Sequence, residues 1–171
     1  IVLTLANDTV GTGPRLQMLT GNEEANRVIE REFDRWSREV GLAEMLRTMR
    51  MARGQDGEAF AILVNNPVLE HPVKLDLRLI EADLVTSPLL NILNEDEVDG
   101  IRLDIFGNPV AYYVLNDHPG GNSYHFGTEY RSVPASHMIH IFRQDRPGQH
   151  RGIPEITPAL HLFAQLRRFT L

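Results

Sequence analysis

In the middle of this chain the hydrophobic period switches from helical to alternating, and that switch decides what it can fold into. From Glu23 to Ala52 apolar residues recur at helical spacing, and after Gly57 they alternate. Ile29, Phe33, Trp36 and Val40 fall four, three and four apart, with Glu30, Arg31, Arg35 and Arg38 off that stripe. Gly41 ends this helix. A second follows with Leu42, Met45, Leu46, Met49 and Ala52 turned inward, and Gly54 with Asp56-Gly57 breaks it. Trp36 and the group Met45, Met49 and Met51 read as core residues rather than as a base-stacking platform or a partner groove.

Downstream the pattern is that of strands. Ala59–Val64 is a short apolar run closed by Asn65-Asn66-Pro67. In Lys74–Ile80, Leu75, Leu77 and Leu79 face away from Lys74, Asp76 and Arg78. Ile101, Leu103 and Ile105 oppose Arg102 and Asp104, and the turn Phe106-Gly107-Asn108-Pro109 makes residues 101–115 a hairpin. Asp117–Gly127 is a Gly/Asn/His-rich loop, Met138–Phe142 a last strand, and Arg143–Pro154 irregular. From Thr157 the chain turns helical, with Leu160, Phe163, Leu166 and Phe169 on one stripe. At the other end Ile1–Ala6 reads as a strand, followed by a turn at Gly11-Thr12-Gly13-Pro14 and an extended piece, Leu16–Leu19. Because strands follow one another through short turns rather than helical crossovers, the expected class is α+β. Two N-terminal helices pack on a mainly antiparallel sheet, with a helix at the C-terminus. A length of 171 residues implies one domain with its own core. The apolar patterns at both ends suggest a fragment of a longer protein, with residues 155–171 the start of a longer helix.

Composition narrows the chemistry. The chain has no cysteine, which excludes disulfides, Cys-ligated zinc, iron–sulfur clusters and thiol catalysis. Seventeen Lys+Arg against 23 Asp+Glu weigh against a surface built to grip phosphates. The charge is uneven: Glu81–Asp104 holds seven acids against Arg102 alone, while five arginines stand against Asp145 and Glu155 from Arg143 onward. Either these are solvated faces, or the basic end touches a polyanion or a neighbouring subunit's acids. Ile1–Ala6 is too short for a signal core or a membrane span, and no membrane partner is expected.

Each motif that hints at catalysis has a plainer reading. Gly11-Thr12-Gly13-Pro14-Arg15-Leu16 lacks the third glycine of a dinucleotide fingerprint and reads as a tight turn. Glu95-Asp96-Glu97-Val98-Asp99-Gly100 would need a bidentate Glu where Phe106 stands, so it is an acidic surface turn and not a calcium loop. His71, His118, His125, His137, His140, His150 and His161 show no ligand spacing; on a strand His137 and His140 point to opposite faces. Ser123, Ser132 and Ser136 lack a patterned base. Asp56 and Glu58 fit a helix-to-strand turn that Gly57 makes possible, rather than an acid–base pair. No catalytic residue, metal or cofactor is expected.

The stretch Val133–Pro154 is the most distinctive. It resembles the region of lambda-type phage portal proteins that runs Val-Pro-Ala, a short strand ending in His-x-Phe-Arg, then Arg-Pro-Gly-Gln-x-Arg-Gly. In the same order, Val10-Gly11-Thr12-Gly13 with Arg15-Leu16-Gln17 is similar to the family's early turn. The helix of Phe33 and Trp36, then Asp56-Gly57-Glu58, follow as the family would have them. Gly100-Ile101, Asp104 and Gly107-Asn108-Pro109-Val110-Ala111-Tyr112 resemble its hairpin. The likeness covers the whole chain except residues 84–98, where extra loop departs from the pattern. It implies a structural, non-enzymatic subunit of a dodecameric ring at one vertex of the phage head. DNA would be pumped through that ring by a separate terminase and would leave through it toward a tail-joining protein, without sequence-specific contacts. It places the protein in the virion, assembled in the bacterial cytoplasm. Residues 1–171 would be a single wing-type domain, with stem, tunnel loop and crown completed beyond Leu171. Arg143, Arg146, Gln149 and Arg151 would then brace the strand-to-helix corner or a neighbouring subunit. Another phage head–tail adaptor, or a metal-dependent hydrolase, are the other classes open to such a chain.

Overall fold

The computed structural model describes residues 1–88, 96–120 and 129–170. Parts of two expected loops, 89–95 and 121–128, lie outside the described residues, and with them Glu95, Ser123 and His125. Helices α1 (Val2–Val10), α2 (Glu23–Glu39) and α3 (Leu42–Gln55) precede strands β1 (Glu58–Asn65) and β2 (Leu75–Ile80). Strands β3 (Glu97–Val98), β4 (Ile101–Leu103), β5 (Pro109–Leu115), β6 (Tyr130–Pro134) and β7 (Met138–Phe142) follow, and α4 (Leu160–Thr170) closes the order. Among the described residues every strand pairing is antiparallel, in two sheets ordered β2-β1-β7 and β3-β4-β5-β6. The α+β expectation holds, with three N-terminal helices in place of two.

The layers follow from which side of β1 each residue takes. Phe60 and Ile62 enter a core shared with Ile101, Tyr112, Val114 and Val133 of the second sheet. Ala59 and Ala61 point the other way, onto Met49 of α3, where their small side chains let the helix lie close. β1 is therefore covered on both faces, which is why its sequence is a continuous apolar run rather than an alternation. Leu77, Leu79 and Ile139 of the flanking strands join Ala59 and Ala61 under α3. The order of layers is helices, three-stranded sheet, four-stranded sheet.

The N-terminus differs from its expected strand. A short apolar run satisfies both periods, and here Val2, Ala6 and Val10 are four apart. Ala6 is fully buried, and a Cβ at Gly54 would stand 2.9 Å from Val2 Cγ1. The bare backbone of α3 at Gly54 selects a helix for residues 2–10. The turn after it is present, with Gly11 and Gly13 both at positive φ. Helix α2 starts where Asn22 Oδ1 accepts the Ala25 N–H at 3.0 Å. It buries none of its residues fully, and Trp36 is a clasp rather than a core residue: its indole N–H donates to the Leu75 carbonyl at 2.8 Å on the edge of β2.

The hairpin stands as expected, with its turn moved. β4 stops at Leu103, so Ile105 lies in the turn and is 88% exposed rather than packed with Ile101. The acidic stretch is a turn too: Asp99 (φ 45°) and Gly100 (φ 83°) join β3 to β4, the double positive φ of a tight hairpin. Strand β6 was not expected from its sequence. The helical stripe of α4 is as expected, and Leu160, Phe163, Leu166 and Phe169 are all exposed.

Candidate functional site

One end of the inter-sheet core is closed by charged groups. β1 begins directly after Gly57, whose φ of 92° turns the chain out of α3. Glu58 lies on the same side of β1 as Phe60 and Ile62, so its carboxylate points between the sheets and is 4% exposed. A buried carboxylate is costly unless it is paired and fully hydrogen-bonded, and Glu58 is both. Arg151 Nε donates to its two oxygens at 2.8 and 3.0 Å, and Arg151 Nη2 approaches Oε1 at 2.6 Å. The Gly152 N–H donates at 2.9 Å, and His140 Nε2 lies 3.0 Å from Oε2. An ionised carboxylate only accepts, so that ring nitrogen carries a proton.

The neighbours fix these groups in turn. The His140 ring is stacked between Phe60 (4.2 Å between centroids) and Phe142 (4.5 Å), and Tyr112 meets it edge-on. The Arg151 guanidinium lies 5.5 Å from the Phe60 ring centre. Its Nη1 donates to the carbonyls of Val85 (2.9 Å) and Asp99, and pairs with Asp99 Oδ2 at 3.1 Å; Nη2 reaches the Ala82 carbonyl at 3.4 Å. One side chain thus ties β1 to the segment 82–85 and to the β3–β4 turn. Gln149, 8% exposed, closes the loop that carries Arg151. Its Oε1 accepts the Asp145 N–H at 2.9 Å, and its Nε2 donates to the carbonyls of Arg143 (3.3 Å) and Arg151 (2.7 Å). Below, Arg50 and Arg53 of α3 both hold Glu155 (2.9 and 3.2 Å), anchoring the approach to α4.

Of the four residues singled out from the sequence, the structure brings Gln149 and Arg151 together in this corner. Arg143 is exposed, its guanidinium forked onto Asp145 of its own loop at 2.7 and 3.1 Å, and Arg146 is exposed beside it. Sequence reasoning missed Glu58 and His140. One signal for Glu58 was available: an acid on the core side of a strand that is apolar on both faces requires a cation.

Burial pushes the Glu58 carboxyl up. Hydrogen bonds from His140, Arg151 and the Gly152 N–H, together with the Arg151 charge, outweigh it and hold the group below the ordinary glutamate range. A carboxyl whose pKa is lower folded than unfolded adds stability above its unfolded value, about 4.3. That contribution is lost as the pH falls through the folded value. Melting temperatures measured from pH 7 to pH 3 should therefore fall more steeply below about pH 4.3 for the wild type than for Glu58→Gln. Parallel curves would show that the pairing does not couple to folding.

A separate cleft is acidic. Asp56, Glu81 and Asp83 line this cleft of about 290 Å³ beside Thr48 and Gln55. Burial first, then Asp83, Glu81 and Glu58, push the Asp56 carboxyl up. Such a cleft repels phosphate. Among the described residues no three His, Asp or Glu converge as metal ligands, and no helix is long and apolar enough to cross a membrane. His137 sits in a short 3₁₀ turn, apart from His140, whose ring belongs to Glu58.

A "Probable portal protein" of Halomonas phage phiHAP-1 is 30% identical over 142 residues, a stretch that covers 77% of this chain and 27% of that protein. The chain thus spans about a quarter of that relative's length. The model of the family described as phage portal protein, lambda family, matches residues 1–170. With a match that takes in both sheets, the charged corner and the last helix, the chain belongs to the lambda family of phage portal proteins, a family of structural proteins.

Proposed function

We propose that this protein is a structural subunit of a phage or prophage portal, the ring at one head vertex through which DNA enters during packaging and leaves toward the tail. The observation that carries this reading is how the buried charged side chains are used. Glu58, His140, Arg151 and Gln149 are bonded to one another or to backbone, holding strands and loops in place. They form a strut between strands and loops, which is what a part that works by shape and assembly needs. The acidic cleft suits this role, because DNA that must slide cannot be held by many phosphate contacts, each of which strengthens binding.

In this reading residues 1–171 form a single wing-type unit of a twelve-subunit ring, and 155–171 lead into a longer helix. Its partners are eleven further copies, a terminase, a head-completion protein and DNA read without sequence preference. Arg151 and Gln149 brace the corner from inside, while Arg143 and Arg146, on its outer surface, meet the acids of a neighbouring subunit. The test is negative-stain electron microscopy of the full-length subunit. Rings with a central hole are expected; a chain that stays monomeric at every salt concentration would overturn the reading.

A further inference from the structure

Two surface features left unused by the corner fit one another. The first is the β4–β5 turn. The Asp104 carboxylate accepts the backbone N–H groups of Phe106 (2.9 Å) and Asn108 (2.8 Å) and the Asn108 side-chain amide (3.0 Å). The Gly107 N–H closes the turn on the Asp104 carbonyl at 3.0 Å, with Gly107 at φ 81°. These bonds hold the Asp104 carboxyl below the usual carboxylate range, so it is ionised at neutral pH. Asp104, Gly107 and Asn108 meet all the needs of the turn. Yet its tip carries Ile105 and Phe106, 88% and 82% exposed, two large apolar side chains on a rigid mount.

The second is a hollow of about 350 Å³ between α1, the turn at Pro14, α3 and β7. Its wall is mainly apolar, with Val10, Leu46, Met49 and Ile141, and Arg50 and Arg53 lie at its side. Those two arginines share Glu155, leaving one positive charge over. The hollow lies on the helix side of the three-stranded sheet, whereas the tip extends from the other sheet, so the tip cannot fill the hollow of its own chain.

We infer that Ile105 and Phe106 of one copy seat in the hollow of the next copy, with Asp104 facing Arg50 and Arg53. Apolar meets apolar and acid meets the uncompensated guanidinium. A contact between two different patches of one chain is head-to-tail, the kind that closes into a ring when the rotation allows it. The inference deepens the portal reading above and rests on it. Preorganisation of the tip limits the entropy lost on docking.

Engineered cysteines test it, since this chain has none of its own. In a full-length subunit free of other cysteines, Thr9→Cys at the rim of the hollow and Phe106→Cys at the tip are oxidised and run on non-reducing gels. The double variant should give a ladder of covalent multimers, and each single variant should stay monomeric. Phe106→Asp, at an exposed position, should leave the melting temperature unchanged and raise the concentration needed for assembly at least about tenfold, a coupling of roughly 1.4 kcal/mol. Wild-type rings with no ladder, a ladder from Phe106→Cys alone, or unaltered assembly of Phe106→Asp would each overturn this inference and leave the portal reading standing. Absence of wild-type rings would overturn both.

Discussion

Replacing Arg151 by alanine is expected to destabilise the protein by about 3–5 kcal/mol, the usual cost of breaking a buried ion pair by removing one partner. Glu58 stays behind at 4% exposure with only His140 and the Gly152 N–H to satisfy it. The carbonyls of Val85 and Asp99 lose their donor as well. For a domain of this size each kcal/mol shifts the melting temperature by about 2–4 °C, so a fall on the order of 10 °C should be seen by calorimetry. Arg151→Lys should recover only a part, because an ammonium cannot offer the fork that meets both Glu58 oxygens. Glu58→Gln combined with Arg151→Ala should cost less than the sum of the singles, since the charge left unpaired by the second change is removed by the first. A fall below about 2 °C in Arg151→Ala would mean that the corner is solvated in solution and does not hold the sheets.

The sequence revealed the fold to the extent that its signals were local. The helical stripe of α2, the double-sided run of β1 and the hairpin over residues 101–115 are periodic within a few residues, and periodicity reads them. Residues 1–6 carry the same apolar signal for strand and helix; what decides between them is Gly54, about fifty positions on, where the lack of a side chain admits Val2. Trp36 sits on a helical stripe, which by periodicity reads as core, but its partner is a carbonyl on the edge of β2, 39 positions away. β6 has little alternation of its own and is a strand because β5 offers it an edge from Ala111 to Leu115. The candidate site divides the same way. The run from Arg146 to Gly152 stood out by resemblance, whereas Glu58 looked like a turn residue because its partners lie 82 and 93 positions along the chain. A buried acid shows in sequence only as a cost, and nothing local names the group that offsets it.

Gly152→Ala is expected to be at least as damaging as the loss of Arg151, although it deletes nothing. A Cβ at residue 152 would stand 2.1 Å from the Gly57 carbonyl oxygen, 2.4 Å from its carbon and 2.8 Å from Glu58 Cβ. The same contact seen from the other side puts a Cβ at Gly57 2.5 Å from the Ile153 carbonyl carbon. Backbone presses on backbone here, so no rotamer change relieves the clash, and the start of β1 must separate from residues 151–153. That movement breaks the Gly152 N–H bond to Glu58 and draws Arg151 off both carboxylate oxygens, so the steric and electrostatic losses come together. We expect more than about 4 kcal/mol, in the range reserved for a few severe mechanisms. Against a total of about 5–15 kcal/mol for a typical domain, that loss should show as low soluble yield and a much reduced urea midpoint. Gly21→Ala is the control: a Cβ there meets nothing within 4 Å, and its φ is not positive. It should stay within about 0.5 kcal/mol of the wild type. If Gly152→Ala instead melted with the control, the two glycines would not be in contact in solution. The corner would then owe its place to Arg151 alone.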